Sequence, residues 1–366
     1  MRNLFLFLVA ACVVVAILPN NAHGKSVKRL FKTGRRSTDD EPVTVIPLIE
    51  LLESYDIHPT NAKRQTLPGL PDGTVIAYLV FATCEYVAFW AMEFSGKFVD
   101  AWMNLRYYTD PLNPPDTWVT VNKNLMFSFA GSVTFTVTLG PYDPCTTVYI
   151  ETILERPDGL TKMGNITIET DCPCDPGTGQ GDPHYVTFDK YHLEFNGKCS
   201  YVLAETCKDS PYYLKVISKH GEVVNTLSNP DARRIESADI TTNNHKINLA
   251  DDGQITIDGI VVNSYYLSDE GEIGIQMIDN ITSIVFSDKG KWWVEWTKNI
   301  RNKRNILYIG IHKDSDLIGK MCGMLGPKLP SNAPSQSFIG YQMKNGKYTY
   351  DVIELGNSYV VPNSCP

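Results

Sequence analysis

The chain has 366 residues, 43% of them hydrophobic, enough for two domains with ordinary cores that disulfides supplement rather than replace. Its formal charge of −8 excludes a general nucleic-acid binder, which needs a basic face.

Arg2 precedes a nearly unbroken apolar run from Leu4 to Leu18, closed by Asn20, Asn21 and His23, with small Ala22 and Gly24 beside them. This pattern reads as a secretory signal peptide over residues 1–24. It is shorter than the roughly 20 apolar residues of a membrane span, and no second run of that kind follows. The mature protein is expected to be secreted and extracellular.

Residues 25–69 read as a pro-segment or flexible leader. The dibasic pairs Lys28-Arg29, Arg35-Arg36 and Lys63-Arg64 are candidate processing sites, and Pro47 to Glu53 suits two helical turns. Residues 70–174 carry strand text between turn clusters. Strands are expected at Thr74 to Thr83, Trp118 to Asn122, Val133 to Leu139, Thr147 to Leu154 and Asn165 to Thr170, with Ala130-Gly131 a tight turn and Asp110 to Asp116 a loop. In Val133 to Leu139 the alternation points Val and Phe inward and Thr134, Thr136 and Thr138 to solvent. The run Tyr86 to Met92 is either a ligand pocket or core, and a continuous apolar run is better explained as core. An antiparallel sandwich-like domain is expected here. Asp175 to Gln180, rich in glycine, then reads as a linker.

Further on, Lys246 to Leu249, Gln254 to Ile257, Gly259 to Asn263 and Ile284 to Phe286 are short strands, with Asp251-Asp252-Gly253 and Asp258-Gly259 as hairpin turns. Trp292, Trp293 and Trp296 are either a stacking surface or packing. Lys298, Arg301, Lys303 and Arg304 form a basic run that reads as a solvated loop or as a contact for sulfated polysaccharide. Asn165 and Asn280 head N-glycosylation sequons. The whole chain reads as all-β.

Nine cysteines less Cys12 of the signal peptide leave eight: Cys84, Cys145, Cys172, Cys174, Cys199, Cys207, Cys322 and Cys365. An even set in a secreted chain implies bridges, although eight cysteines allow 105 pairings. The one-residue spacing of Cys172 and Cys174 suits neither a redox motif nor a zinc site.

The stretch Gly181-Asp182-Pro183-His184-Tyr185, then Thr187-Phe188-Asp189 and Phe195-Asn196-Gly197-Lys198-Cys199-Ser200-Tyr201, resembles the opening of a von Willebrand factor type D module. Cys322-Gly323-Met324-Leu325-Gly326 and Leu355-Gly356-Asn357-Ser358-Tyr359 with Cys365 look like its far end, so the resemblance covers residues 181–366. It implies pairing of Cys199 with Cys365 and of Cys207 with Cys322, leaving Cys84, Cys145, Cys172 and Cys174 to pair among themselves. Leu325 stands where the family has a second cysteine. The family's calcium-binding run is replaced by Pro327 to Asn332, so Asp189 is the one evident oxygen ligand left and no tight Ca²⁺ site is expected. No other cofactor is implied. A slighter likeness to the C-terminal segment of inter-alpha-trypsin inhibitor heavy chains rests on Asp314 to Gly326 and Tyr359 to Pro362.

Those heavy chains carry an Asp-Pro-His-Phe cleavage motif, and the likeness, shared with some mucin modules, implies chemistry at Asp182-Pro183 as follows. The Asp182 carboxylate attacks its own main-chain carbonyl, the bond to Pro183 breaks as its nitrogen takes a proton from His184, and the cyclic anhydride left behind meets water or a sugar hydroxyl. The competing reading makes Gly181 to Tyr185 the first turn and strand of the domain and His184 a structural residue. Three functions are in view: a secreted interaction or matrix protein binding another extracellular protein, a glycan or itself; a regulator of growth factors of the bone morphogenetic protein class; and a luciferase-like secreted enzyme. No Gly-x-Ser-x-Gly elbow, His-Glu-x-x-His or phosphate loop supports an enzyme.

Overall fold

The computed structural model describes residues 12–16, 44–47, 75–93, 102–125, 133–155, 157, 161–181, 183–223, 232–268, 272–279, 281–287, 290–298, 305–330 and 340–366. They form two units: 1–142 with 146–170, and 143–145 with 171–366.

The first unit is built of strands β1 (Cys12–Ala16), β2 (Thr44–Pro47), β3 (Val75–Ala82), β4 (Val87–Glu93), β5 (Trp102–Tyr108), β6 (Val119–Leu125), β7 (Val133–Leu139), β8 (Thr147–Glu155) and β9 (Thr161–Glu169). They hydrogen-bond as one antiparallel sheet in the order β2-β1-β3-β4-β7-β6-β5-β8-β9, which sets β1, from the segment read as a signal peptide, and β2, from the segment read as a flexible leader, in the sheet beside β3, and β9 returns alongside β3. Period-two patterning explains the core: in β8, Val148, Ile150 and Leu154 are buried and alternate with half-buried residues. They join Phe89, Leu105 and Phe135 in a single cluster.

One local expectation holds here and others change. The apolar run at Tyr86 to Met92 is strand β4, with Val87 and Phe89 in that cluster and Ala88 and Trp90 buried on the opposite face. A strand covered on both faces needs no polar alternation, which explains the continuous run. For the same reason Thr136 does not reach solvent: β7 lies between β4 and β6, and Thr136 pairs across from the fully buried Trp90. Pro47, expected to open a helical segment, ends β2 instead; residues 48–53, like Ala130 and Gly131, lie outside the described residues.

In the second unit the strands are β10 (Gly177–Gln180), β11 (His184–Val186), β12 (His192–Glu194), β13 (Ser200–Thr206), β14 (Leu214–Glu222), β15 (Arg233–Thr242), β16 (Lys246–Leu249), β17 (Ile255–Ile257), β18 (Ile260–Val262), β19 (Tyr265–Leu267), β20 (Gly274–Met277), β21 (Thr282–Ser287), β22 (Trp292–Thr297), β23 (Ile306–Ile311), β24 (Met321–Cys322), β25 (Tyr341–Gln342) and β26 (Tyr348–Thr349). One sheet runs β12-β11-β10-β23-β22-β21-β20-β19, another β18-β17-β16-β15-β14-β13-β24, and β25 pairs with β26. The two large sheets share one core that includes Tyr185, Leu203, Val216, Ile240, Ile275, Trp292, Trp296 and Ile309. The turn at Asp258-Gly259, both residues at positive φ (51° and 83°), closes the β17–β18 hairpin as expected of this dipeptide.

Trp292, Trp293 and Trp296 are each 1% exposed, so they are packing and form no stacking surface. The glycine-rich stretch read as a linker contains β10, an inner strand between β11 and β23. Its glycines answer crowding: a Cβ on Gly177 would stand 2.7 Å from Leu325 Cδ1, and one on Gly179 2.8 Å from both Ile235 Cδ1 and Tyr185 Cε1. One helix, α1 (Val352–Ser358), was not expected; the Asp351 side chain caps it by accepting from the amides of Ile353 and Glu354 at 2.8 and 3.2 Å.

Candidate functional site at the Gly-Asp-Pro-His turn

The hairpin of β10 and β11 carries the motif, with Gln180 opposite His184 and Gly179 opposite Tyr185. Gly181, at φ 62°, opens the turn and donates its amide to Asn305 O at 3.4 Å. Asp182 lies outside the described residues. Pro183 is buried, and its carbonyl accepts from the Phe195 amide at 3.2 Å. His184 points outward, its side chain 52% exposed and its Nδ1 3.8 Å from Glu194 Oε1 on the neighbouring strand β12. The motif's ends are therefore tied to ladders on either side, with an imidazole at the solvent edge.

Beneath the turn lies a group that sequence reasoning did not single out. Tyr185 is fully buried, and its hydroxyl is 2.5 Å from His220 Nε2 and 3.4 Å from Ser218 Oγ on β14. His220 Nδ1 is 2.8 Å from Gly197 O. A carbonyl only accepts, so Nδ1 carries the proton, and Nε2 accepts from the Tyr185 hydroxyl. Burial pushes His220 down to about 4, against the opposing pull of the Gly197 bond and with a further push from Arg233; burial also raises the Tyr185 phenol. The Tyr201 ring packs 4.8 Å from His220 and edge-on to Phe195 at 4.8 Å, and its hydroxyl accepts from the Cys199 amide at 3.2 Å. His220 continues the inward alternation of Leu214, Val216 and Ser218 on β14, and that alternation was the available signal.

A second buried polar group braces the strands behind the turn. Arg234, 4% exposed, holds Asp251 with two nitrogens at 2.5 and 2.9 Å. The fully buried Asn305 donates its side-chain amide to Ile235 O at 3.2 Å and to Asp251 Oδ1 at 3.1 Å. The residue whose carbonyl receives Gly181 is thus fixed through its side chain to β15.

Disulfides staple the domain. Cys199 is bonded to Cys365, Cα atoms 4.2 Å apart, and Cys207 to Cys322, 5.9 Å apart. Cys145 is bonded to Cys172 at 4.8 Å, and Cys84 and Cys174 are also in disulfide form. The tail that carries Cys365 is sewn to β13: Val202 N donates to Tyr359 O and Val361 N to Ser200 O. Leu325, in place of a cysteine, is fully buried and donates its amide to Leu203 O.

The other candidate residues are scattered. Asp189 sits in the loop from Thr187 to Tyr191; among the described residues no group of three or more His, Cys, Asp or Glu side chains converges as a metal site. Lys298 donates to Asp252 O, whereas Arg301, Lys303 and Arg304 lie outside the described residues. Asn165 is exposed on β9, and Asn280 lies outside the described residues. Among the described residues no helix is long and apolar enough to cross a membrane.

The model of the von Willebrand factor type D domain matches residues 177–327. Residues 177–327 of this chain are a von Willebrand factor type D domain. The match begins at β10, which places that strand inside the type D domain. Human zonadhesin is 29% identical over 185 residues, 49% of this chain and 6% of zonadhesin. Apolipophorin of Galleria mellonella is 26% identical over 183 residues, 50% of this chain and 10% of that protein. Human IgGFc-binding protein is 24% identical over 230 residues, 62% of this chain and 4% of that protein. The chain thus spans a tenth or less of the length of each of these relatives.

Proposed function

We propose that the protein is a secreted, non-enzymatic interaction module of the extracellular matrix, whose type D domain binds another extracellular protein, a glycan or a second copy of itself. The observation that carries this reading is the type D domain itself, its ends stapled by Cys199–Cys365 and Cys207–Cys322. Bridges of this kind belong to oxidising compartments. Its relatives include a zonadhesin, a mucin and an IgGFc-binding protein, names of extracellular adhesion and matrix proteins.

The reading extends to self-cleavage between Asp182 and Pro183. Hydrogen bonds at Gly181 N and Pro183 O brace the chain on both sides of the bond, and the exposed His184 is adjacent to the nitrogen that must be protonated. Attack by the Asp182 carboxylate forms the anhydride and breaks the C–N bond; the proton from His184 goes to the proline nitrogen, and water then opens the anhydride to a C-terminal aspartate. The test is the intact mass of the secreted protein before and after incubation near pH 5, paired with affinity capture from extracellular fluid. Fragments meeting at Asp182 and Pro183 support the cleavage, and an unbroken chain overturns it. Failure to capture any extracellular protein, glycan or second copy overturns the interaction reading.

A further inference from the structure

A cavity of about 220 Å³ is bordered by the loop carrying Thr187, Asp189 and Tyr191, the segment Gly323 to Pro327, and Tyr341, Gln342 and Tyr350. It is below the roughly 300–1,000 Å³ of drug-sized sites, so it suits one small ring. Three features set its chemistry. First, the Tyr191 and Tyr341 rings meet edge-on at 6.2 Å, and Tyr350 stands at the rim, 69% exposed. Such rings offer apolar faces with polar edges. Second, Asp189 borders the cavity half-buried, and among the described residues none donates a hydrogen bond to its carboxylate. A partly desolvated carboxylate without donors is costly unless something supplies them. Third, Lys328 acts on Asp189 electrostatically and opposes the rise that burial imposes on it. Lys328 is anchored by donating to Asp175 O at 3.1 Å. Lys328 also stands 4.0 Å from Asp175 Oδ2, so its charge is shared between two carboxylates and leaves Asp189 an acceptor that hydroxyl donors can satisfy.

We propose that this cavity binds a single neutral sugar residue, its C–H face against the tyrosine rings and a pair of its hydroxyls donating to Asp189. The proposal deepens the interaction-module reading by naming a ligand class, and it rests on that reading.

Saturation-transfer NMR on the intact secreted protein tests it, with methyl glycosides of glucose, galactose, mannose, N-acetylglucosamine and N-acetylgalactosamine as probes and n-butylamine and acetate as charged controls. At least one glycoside is expected to bind. Asp189→Asn should weaken it about tenfold, the value of one hydrogen bond to a charged group. Tyr350→Ala, at an exposed position, should weaken it severalfold, with an unchanged urea midpoint as the check that the fold is kept. Transfer to no glycoside, binding unchanged in both variants, or binding confined to butylamine overturns the proposal. A partner captured by a protein that binds no glycoside removes this site and leaves the interaction reading standing; glycoside binding without any captured partner does the reverse.

Discussion

Acidification probes the buried His220–Tyr185 pair most directly. In the folded protein His220 is neutral, fixed as the Nδ1 tautomer by Gly197 O and accepting from Tyr185 at Nε2. The groups facing it are Tyr185 from β11, Tyr201 from β13, Ser218 from its own strand and Arg233 from β15, and none of them is an acid. Protonation therefore puts a cation in a buried site without a counter-charge and breaks the bond from Tyr185. The pKa falls from the ordinary 6.5 to about 4. At 1.36 kcal/mol per unit, that difference amounts to about 3 kcal/mol. The sign follows from proton uptake: below pH 6.5 the unfolded chain binds a proton that the folded chain refuses. The contribution is complete above pH 6.5, declines as pH falls, and is gone by about pH 4. Urea denaturation followed by tryptophan fluorescence at pH 7.5, 6.5, 5.5 and 4.5 measures it, with His220→Gln as reference. The variant should be less stable at pH 7.5, and the gap should close by about 3 kcal/mol at the acid end. A gap that stays constant across this range refutes the reasoning.

Other substitutions separate structure from sequence impression. Gly179→Ala places a methyl against Ile235 and Tyr185 and should cost about 1–3 kcal/mol through overpacking, measured as a lower urea midpoint; a true linker would show no change. Arg234→Met, which strips Asp251 of its two-nitrogen partner, should cost about 3 kcal/mol, with part of the loss recovered in the double variant with Asp251→Leu. If the chain cleaves after Asp182, the three described bridges each lie on one side of the break, yet β10 stays hydrogen-bonded between β11 and β23. The fragments should then co-elute in native size exclusion and part only in denaturant. Asn165 is exposed, so N-glycosidase treatment should lower the mass of the secreted protein, and Asn165→Gln should remove one glycan's worth of that shift.

The sequence by itself determined what short-range chemistry encodes. The strand at Thr147 to Leu154, the Asp258-Gly259 turn and the all-β class were legible because strand composition and a turn's positive φ are properties of a few adjacent residues. The type D motifs were legible for the same reason, as runs of consecutive residues. Tertiary structure alone decided which faces are covered. Thr136 looks solvent-facing until β4 places Trp90 beside it, and Gly177 and Gly179 look like a flexible connector until Leu325, Ile235 and Tyr185 arrive from distant parts of the chain to fill the space a Cβ would take. Alternation along β14 marked His220 only as inward and Asn305 carried no local mark, since each takes its role from partners brought near by strand pairing: Gly197 and Tyr185 for the one, Ile235 and Asp251 for the other. Crowding, burial and hydrogen-bond satisfaction are set by what folds against a residue, and no local window of sequence carries that information.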